Sequence, residues 1–457
     1  MTKVFGHYMS SDVLMLWLIE AVLSFTLIAA LLAFGTAKTV MGEAAFAGTS
    51  LQIIDMAALV AVLFGIVGPA LGLYRRDTLL YTRRLVINIG VVALVVVPVP
   101  LVLARLLHAD FLRLITTREA LWLPHVLLAW LFCLMVTRTA FRLALRHGVF
   151  TRRILFVGDD QRVLFPSDGG AHQTAFFDVA GTLAGDEAEA LDPAALRARG
   201  IWGIVVGTSA DAKLPTTSLL HCKSAGIRVF DAVEFRERQF RRLAFERLPA
   251  DWLIFAETVF TSRLNQALKR GFDVALSLAL LVLVLPLMLL TALAIRLDSK
   301  GSVFYSQERV GLGGKPFTLL KFRSMRADAE ATGPAWAAAA DPRVTRIGGF
   351  LRRTRIDELP QLLNVLRGEM SLIGPRPERP HFVAKLAATI PHYNDRSFVK
   401  PGITGWAQVN LPYGASIEDA RMKLAYDLYY IAHRTLFLDL LILVSTVRVI
   451  LFREGAR

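Results

Sequence analysis

Two adjacent carboxylates, Asp357 and Glu358, follow three arginines, Arg352, Arg353 and Arg355. Arginine neutralises and orients phosphate groups, often through two parallel hydrogen bonds. We expect a carboxylate among such cations to stay ionised, with a lowered pKa, so that it could attack phosphorus or bind Mg²⁺. Its neighbour could take a proton from an incoming group. The structural alternative is a pair that caps a helix and forms ion pairs with the arginines.

Further cations and turn residues lie on both sides of the pair. Lys321 and Arg323 lie upstream, and Arg376 lies downstream between two prolines. Flanking prolines restrict the backbone, which suits a guanidinium aimed at phosphate and suits a rigid exposed turn equally well. Pro360 predicts the first turn of a helix just after the pair, so the two carboxylates should lie at or before a helix N-terminus.

The composition indicates a membrane protein with a basic surface. The chain has 457 residues, 54% of them hydrophobic, and a formal net charge of +14. That charge fits nucleic acid, anionic lipid or a phosphorylated substrate, and it also fits the cytoplasmic loops of a membrane protein. The two cysteines, Cys133 and Cys222, are too few and too far apart for a disulfide framework or a zinc site.

Four apolar stretches open the chain. They cover residues 13–34, 51–74, 85–107 and 120–145, and each is near the ~20 residues that a helix needs to cross a membrane. The first stretch lacks a small-residue cleavage site, so we interpret it as a span rather than a signal peptide. Arginines are concentrated after the second and fourth stretches, which places both ends of this bundle in the cytoplasm.

A small α/β domain is predicted next. Buried-strand patterns at residues 153–158, 203–207 and 227–230 are separated by helix-length stretches, which favours a parallel sheet. The first turn begins Gly158-Asp-Asp and lacks the GxGxxG pattern of dinucleotide binding. A folded spacer or a platform for partners is therefore favoured over a nucleotide site.

A long apolar helix follows Lys269, Arg270 and Asp273, and Pro286 lies within it. The part before the proline rises about 21 Å, less than the ~30 Å hydrocarbon core. Basic residues flank both ends, and proline kinks or breaks a helix. We therefore expect a re-entrant helix over about residues 265–298 that is broken at Pro286 and returns to the cytoplasmic face. A fifth span with a mild kink is the alternative.

The last apolar run, residues 436–452, contains Asp439 and Arg448. Its length is marginal for a span, so an interfacial helix or a buried core helix is expected.

The segment from Lys269 to Arg457 resembles the bacterial sugar transferase family, the polyprenyl-phosphate hexose-1-phosphate transferases or monotopic phosphoglycosyl transferases. The whole chain is similar to the long exopolysaccharide-initiating branch. The resemblance rests on these ordered motifs: Lys269-Arg270-Gly-Phe-Asp273, Gln307-Glu308-Arg309-Val-Gly311, Lys321-Phe-Arg323-Ser-Met325, Arg355-Ile-Asp357-Glu358-Leu-Pro-Gln361, Ser371-Leu-Ile-Gly-Pro-Arg376-Pro and Lys400-Pro-Gly-Ile-Thr-Gly-Trp406.

Together with this resemblance, the patterns predict three parts. A four-helix transmembrane bundle covers residues 1–150, and a cytoplasmic, degenerate Rossmann-like α/β domain covers residues 151–250. An α-rich phosphoglycosyl transferase domain with the re-entrant helix covers residues 251–457. Many members of the family carry Ser-Pro at the helix break, where this chain has Leu285-Pro286.

The resemblance also implies a two-step reaction. Asp357 attacks the β-phosphate of a UDP-sugar and expels UMP, and polyprenyl phosphate then takes the phosphosugar from the covalent aspartyl intermediate. Glu358 helps to activate the acceptor phosphate. Lys321, Arg323 and Arg376 contact phosphate or nucleotide, and Mg²⁺, with Asp357 as a ligand, offsets the charge of the diphosphate.

The implied setting is the bacterial inner (cytoplasmic) membrane, with the catalytic domain on the cytoplasmic face. The expected partners are a UDP-sugar, polyprenyl (undecaprenyl) phosphate, the membrane, a second copy of the chain in a homodimer and downstream glycosyltransferases, but no nucleic acid. Two other classes of protein stay open: a scaffold that recruits polysaccharide machinery, and a glycosyltransferase that transfers the sugar alone.

Overall fold

The computed structural model divides into two compact units, one running to Phe235 and the other beginning at Arg236. The structure describes residues 2–4, 7–9, 11–37, 122–158, 177–184, 187–207, 214–245, 248, 252–255, 262–326, 343–411, 414 and 416–452, with scattered residues between 58 and 93.

The first unit contains two long apolar helices. After the short strands β1 (Thr2–Val4) and β2 (His7–Met9) come α1 (Ser11–Ala37) and α2 (Trp122–Arg146). Arg152, just beyond α2, forms an ion pair of 2.6 Å with Asp12 in the first turn of α1. The two helices are therefore antiparallel, and the start of α1 and the end of α2 lie on the same side, as the arginine pattern predicts.

A buried ion pair joins α1 to α2. Arg138 Nε lies 2.9 Å from Glu20 Oε1. Thr137 also donates a hydrogen bond to this carboxylate. Charged groups persist within an apolar bundle only when they are paired in this way.

Three helices in the described part of the chain are long and apolar enough to span a membrane: Ser11–Leu31, Leu127–Arg146 and Arg263–Asp298. The first two match predicted spans. The other two predicted spans, residues 51–74 and 85–107, lie largely outside the described residues, so the number of four stays a prediction.

The rest of the first unit is the predicted α/β domain. Its elements are β3 (Arg152–Val157), β4 (Phe177–Leu183), α3 (Pro193–Ala198), β5 (Ile201–Val206), α4 (Thr216–Ser224), β6 (Arg228–Asp231) and α5 (Ala232–Phe240). The sheet has the order β4-β3-β5-β6, and each adjacent pair is parallel. Three of the four strands match the sequence patterns, whereas β4 was not predicted because polar and small residues interrupt its apolar ones.

Residues just after α5 pack with the C-terminal unit. Leu243, Phe245 and Trp252 lie in its hydrophobic core, and Trp406 Nε1 donates to the carbonyl of Arg241 at 3.0 Å. Part of the stretch assigned from sequence to the α/β domain thus supports the C-terminal core.

The apolar helix around Pro286 is α6 (Arg263–Asp298), a single helix of 36 residues. The prediction that it is broken at Pro286 is wrong for the secondary structure, because the proline lies inside the helix. Proline removes only its own N–H, so the hydrogen bonds on either side can continue. Leu280 before the proline and Met288 after it both pack against the C-terminal unit, which supports the helix on both sides of the missing bond.

The remaining elements build the α-rich C-terminal unit. They are β7 (Phe304–Val310), β8 (Pro316–Phe322), α7 (Arg346–Thr354), α8 (Gln361–Arg367), β9 (Ser371–Ile373), α9 (Pro380–Ala387), β10 (Gly402–Thr404), α10 (Trp406–Asn410), α11 (Ile417–Ala432) and α12 (Leu436–Phe452). β7 and β8 form an antiparallel hairpin, and β9 pairs with β10 in parallel.

The last helix, α12, is buried on one side as predicted for a core helix, and its interfacial position stays a prediction. Leu438 and Ile442 are fully buried in the core, whereas Leu436, Leu440 and Ile450 are almost half exposed. One face therefore belongs to the core, and the other presents apolar side chains outward.

Candidate active site

The acidic pair lies in a tight turn between two helices. Helix α7 ends at Arg355, which adopts a left-handed conformation with φ 61°. A short 3₁₀ turn, Ile356–Glu358, follows, and Pro360 precedes the first residue of α8. A non-glycine residue with positive φ is strained, and such strain often occurs at functional sites. The predicted position of the pair, just before a helix N-terminus, is confirmed.

Glu358 collects three cations on one oxygen. Its Oε1 lies 2.6 Å from Arg376 Nη2, 3.2 Å from Lys321 Nζ and 3.7 Å from Arg355 Nη1. Burial alone raises the pKa of Glu358, but Arg376, Lys321 and Arg355 outweigh it and hold the pKa well below its ordinary value. Glu358 is therefore ionised throughout the physiological range.

Asp357 has the opposite environment although it is the next residue. Only 7% of its surface is exposed, and among the described residues its Oδ1 has no hydrogen-bond partner. Burial and the adjacent charge of Glu358 raise the pKa of Asp357 from 3.8 to about 6, against the pull of the surrounding cations. The expected lowering of pKa thus holds for Glu358 but not for Asp357.

An unpaired buried carboxylate oxygen is unusual, because buried polar atoms are generally hydrogen-bonded. The unpaired Oδ1 of Asp357 retains an unused lone pair next to several positive charges. It is thus free to contact an electrophile, a proton or a metal ion.

Lys321 is delivered to the pair by β8, where it lies opposite Tyr305 of β7. Burial lowers the pKa of Lys321, and the charge of Glu358 opposes this effect. The lysine is thus paired with the carboxylate and largely removed from water. Electrostatic interactions are stronger in such a buried environment than in solvent.

Both the backbone and the guanidinium of Arg376 are held by hydrogen bonds. Arg396 Nη2 donates to the carbonyl of Arg376 at 3.0 Å and to Asp427 at 2.7 Å. Pro375 O accepts from Gly402 N at 2.9 Å. Sequence reasoning did not single out Arg396 or Asp427, because they lie 20 and 51 residues beyond Arg376 with no motif joining them.

Arg323 is not brought to the acidic pair. It donates to the carbonyls of Ser299 and Lys300 at 2.7 and 3.0 Å, where α6 ends. Helix ends leave carbonyls unsatisfied, and a guanidinium is well suited to bind them. This environment favours a structural role over the expected contact with phosphate.

Two of the three residues predicted to begin the membrane helix, Lys269 and Asp273, form a buried ion-paired cluster with Asp439. Lys269 Nζ lies 3.0 Å from Asp273 and 2.9 Å from Asp439, and we call these three residues the anchor. Asp273 also accepts from Ser371 Oγ at 2.8 Å in β9. The anchor therefore connects α6 and α12 to the strand that leads into the Arg376 loop.

Arg270 binds the opposite end of α8 from the acidic pair. Its Nη1 and Nη2 donate to the carbonyls of Val365 and Leu366 at 2.6 and 2.8 Å. A cation at a helix C-terminus satisfies free carbonyls and interacts favourably with the helix dipole. The start of α6 thus helps to hold α8, whose N-terminus follows the pair.

A Mg²⁺ ion fits the pair only as a weakly coordinated, substrate-assisted ion. Among the described residues, no group of three or more His, Cys, Asp or Glu side chains is arranged to hold a metal. The unpaired Oδ1 of Asp357 can supply one ligand. Mg²⁺ is usually bound by one or two carboxylates together with substrate phosphates, so this donor set is compatible with it.

Over this same region the chain is similar to one protein family and to several individual proteins. The family model described as "Bacterial sugar transferase" matches residues 264–453. An Aeromonas hydrophila protein named UDP-N-acetylgalactosamine-undecaprenyl-phosphate N-acetylgalactosaminephosphotransferase is 43% identical over 52% of this chain and 56% of its own length. The match thus spans little more than half of that relative.

Two shorter matches cover most of the relative. A Bacillus subtilis protein named "Putative undecaprenyl-phosphate N-acetylgalactosaminyl 1-phosphate transferase" is 55% identical over 28% of this chain and 73% of its own length. A Caulobacter vibrioides protein named UDP-glucose:undecaprenyl-phosphate glucose-1-phosphate transferase is 45% identical over 41% of this chain and 71% of its own length. With these matches, the chain belongs to the bacterial sugar transferase family.

Proposed function

We propose that the protein transfers a hexose-1-phosphate from a UDP-sugar to polyprenyl (undecaprenyl) phosphate and releases UMP. The observation that carries this proposal is the asymmetry of the acidic pair. Glu358 gathers three cations, whereas Asp357 keeps a buried oxygen without a partner among the described residues. A diphosphate needs positive charge around it, and a reaction at phosphorus needs an unblocked nucleophile.

In the first step, an oxygen of Asp357 forms a bond to the β-phosphorus. The bond from that phosphorus to the bridging oxygen breaks, and UMP leaves with the electron pair. In the second step, an oxygen of the lipid phosphate attacks the same phosphorus, and the carboxylate of Asp357 is released. The family relationship and the free oxygen support Asp357 as the nucleophile.

Glu358 and the cations have supporting roles. In the proposed reaction, Arg376 and Lys321 exchange part of their contact with Glu358 for the phosphate oxygens, which stabilises the charge of the transition state. Once these cations have moved towards the phosphate, the pKa of Glu358 rises again, so that Glu358 can orient the acceptor phosphate and take a proton from it where one is present. When bound, Mg²⁺ would be held by Asp357 and the diphosphate oxygens and would offset their negative charge.

We also propose that α6, which continues through Pro286, bends at this proline and so enters and leaves the membrane on the cytoplasmic face, where a soluble sugar nucleotide and a lipid phosphate can meet at the pair. Both ends of α6 contact the same C-terminal unit: Arg270 binds α8 near one end, and Arg323 binds Ser299 at the other. A straight span would place these ends on opposite sides of a membrane.

The substrate class is a UDP-hexose or UDP-N-acetylhexosamine, because the similar proteins are named for both glucose and N-acetylgalactosamine. By the same resemblance, the proposed role is the first membrane step of exopolysaccharide assembly.

UMP release by the full-length protein in membranes tests this proposal. A panel of UDP-sugars is supplied with undecaprenyl phosphate, and UMP and UDP are measured separately. Asp357→Asn should lower UMP release by about 10³-fold or more, because amide nitrogen and oxygen are poor nucleophiles. Asp231→Asn, in the α/β domain, is the matched control and should retain turnover.

Three outcomes would contradict the proposal. Unchanged turnover by Asp357→Asn would exclude Asp357 as the nucleophile. Release of UDP instead of UMP would indicate transfer of the sugar alone. No turnover of any UDP-sugar by the wild-type protein favours a scaffold.

A further inference from the structure

A second cationic site lies at the opposite end of α8 from the acidic pair. A cavity of about 370 Å³ opens between the tip of the β7–β8 hairpin and the end of α8. Its walls include Leu312, Lys315, Phe317, Gly368 and Lys400. Helix α8 has seven residues, so this cavity and the acidic pair are separated by about 10 Å along the helix. The proposed reaction uses none of these residues.

The inner wall of the cavity carries concentrated positive charge. Lys315 and Lys400 line it, and a Cβ added at Gly368, also in the lining, would lie 3.6 Å from Lys400 Nζ. Arg270 does not line the cavity, but its Nη2 would lie 3.5 Å from the same Cβ. Burial and the charge of Arg270 lower the pKa of Lys400, as expected for crowded cations. The carboxylate on the cavity wall, Glu369, is engaged by Asn364 Nδ2 at 2.7 Å.

The lysines lack partners of their own. Within the part of the chain that the structure describes, neither Lys315 nor Lys400 has a side-chain hydrogen bond or ion pair. The cavity wall carries two cations, Lys315 and Lys400, against one carboxylate, Glu369, so its net charge is positive. Such a site is suited to a single phosphate group.

The surroundings of the cavity indicate where that phosphate comes from. Arg270 lies where α6 changes from polar to strongly apolar sequence, the level at which basic side chains meet lipid headgroups. Leu264 and Leu268, which precede Arg270 on α6, are 67% and 50% exposed, and Leu312 in the cavity lining is 45% exposed. The cations in the cavity suit a phosphate headgroup, and the exposed leucines at the start of α6 and in the hairpin suit the apolar part of a phospholipid.

We propose that this cavity binds the phosphate of an anionic membrane phospholipid, with Lys400 and Lys315 contacting the headgroup and Leu312 contacting the lipid at the cavity mouth. The bound lipid fixes the end of α8 against the start of α6. This site is separate from the sugar nucleotide site, and it binds lipid without any turnover.

Native mass spectrometry of the full-length protein, titrated with phosphatidylglycerol, phosphatidylcholine or inorganic phosphate, tests the proposal. Phosphatidylglycerol should bind to the wild-type protein, and the double variant Lys315→Gln/Lys400→Gln should bind it on the order of tenfold more weakly, since each basic residue near a membrane contributes a severalfold effect. Lys385→Gln on α9 is the matched control and should bind normally. Lys400→Arg should also retain binding, because it keeps the charge.

Four results would overturn the proposal. Equal phosphatidylglycerol binding by the wild type and the double variant removes these lysines from the site. If phosphatidylcholine binds as tightly as phosphatidylglycerol, the site does not distinguish the net charge of the headgroup. If inorganic phosphate binds as tightly as phosphatidylglycerol, the site binds free phosphate. If the double variant melts at a lower temperature than the wild type, phosphatidylglycerol binding by Lys315→Gln alone is compared with that of the wild type. Unchanged binding by Lys315→Gln, together with lost binding by Lys400→Arg, contradicts a site that recognises charge. These readouts do not involve UMP, so they can fail while the proposed enzyme activity holds.

Discussion

The C-terminal unit contains two buried clusters of charge that use the same kinds of side chain in different ways. In the anchor, one lysine, Lys269, lies between the carboxylates of Asp273 and Asp439. In the acidic pair, one carboxylate, Glu358, lies among three cations. The first cluster has an excess of negative charge and the second an excess of positive charge.

The two clusters also differ in how completely their oxygens are used. In the anchor, Asp273 accepts from Lys269 and Ser371, and Asp439 Oδ1 accepts from Tyr430 at 2.8 Å. Asp439 Oδ2 has no hydrogen-bond partner among the described residues, but it lies 2.9 Å from Lys269 Nζ in an ion pair. Asp357 Oδ1, next to Glu358, has neither a hydrogen bond nor an ion pair among those residues. Paired buried charges stabilise one arrangement, whereas an unpaired one is retained where chemistry needs it.

The largest expected effect on activity comes from removing the negative charge of Glu358, which three cations contact. Glu358→Gln should lower kcat/KM for UMP release by on the order of 10³-fold, because an amide neither accepts a proton nor holds three cations in place. Steady-state UMP release with undecaprenyl phosphate measures this. Glu418→Gln, an exposed glutamate in the first turn of α11, is the control. Equal loss in both variants would assign the effect to general damage.

The anchor should respond in stability. Lys269→Met leaves two buried carboxylates without their cation, and removing one partner of a buried ion pair costs about 3 kcal/mol or more. For a unit of this size the midpoint of thermal unfolding should fall by about 10 °C. Fluorescence-monitored melting in detergent measures it, with the exposed Lys385→Met as control. An unchanged melting temperature would mean that the anchor does not stabilise the fold.

The sequence was informative about the acidic pair because its chemistry is local. Asp357, Glu358 and Pro360 are neighbours in the chain, so the turn before α8 could be predicted from residue types alone. The pKa of Asp357 could not be predicted, because it depends on burial and on partners from β8 and from the loop after β9. The continuity of α6 through Pro286 likewise depends on packing that only the folded chain supplies.

The two arginines that looked alike in sequence provide the next test. Arg376 contacts Glu358, whereas Arg323 binds the end of α6. Arg376→Lys should lower kcat/KM for the UDP-sugar by about tenfold, since lysine cannot form the two parallel bonds of a guanidinium. Arg323→Lys should mainly lower the melting temperature. An equal loss of kcat/KM at unchanged stability in both variants would return Arg323 to the site.

The smallest expected effect is a dependence on pH, to which Asp357 and, behind Arg376, Asp427 both contribute, because burial raises the pKa of each carboxyl to about 6. The nucleophile Asp357 therefore becomes protonated as the pH falls through that value. kcat/KM for the UDP-sugar, which reports the free enzyme and the first step, should therefore be halved near pH 6 relative to its value at neutral pH. Glu358, whose pKa is lowered, stays ionised across this range.

The raised pKa of Asp357 also predicts how the stability of the fold changes with pH. The pKa of Asp357 in the folded protein exceeds its ordinary value of 3.8, so the folded state binds more protons between about pH 4 and 6. Ionisation of Asp357 therefore destabilises the fold as the pH rises through this window. Asp357→Asn should melt a few degrees above the wild type at neutral pH, and the difference should shrink below pH 5. A lower melting temperature for Asp357→Asn at neutral pH would indicate that this carboxylate stabilises the fold as the anchor does, and the contrast between the two clusters would be lost.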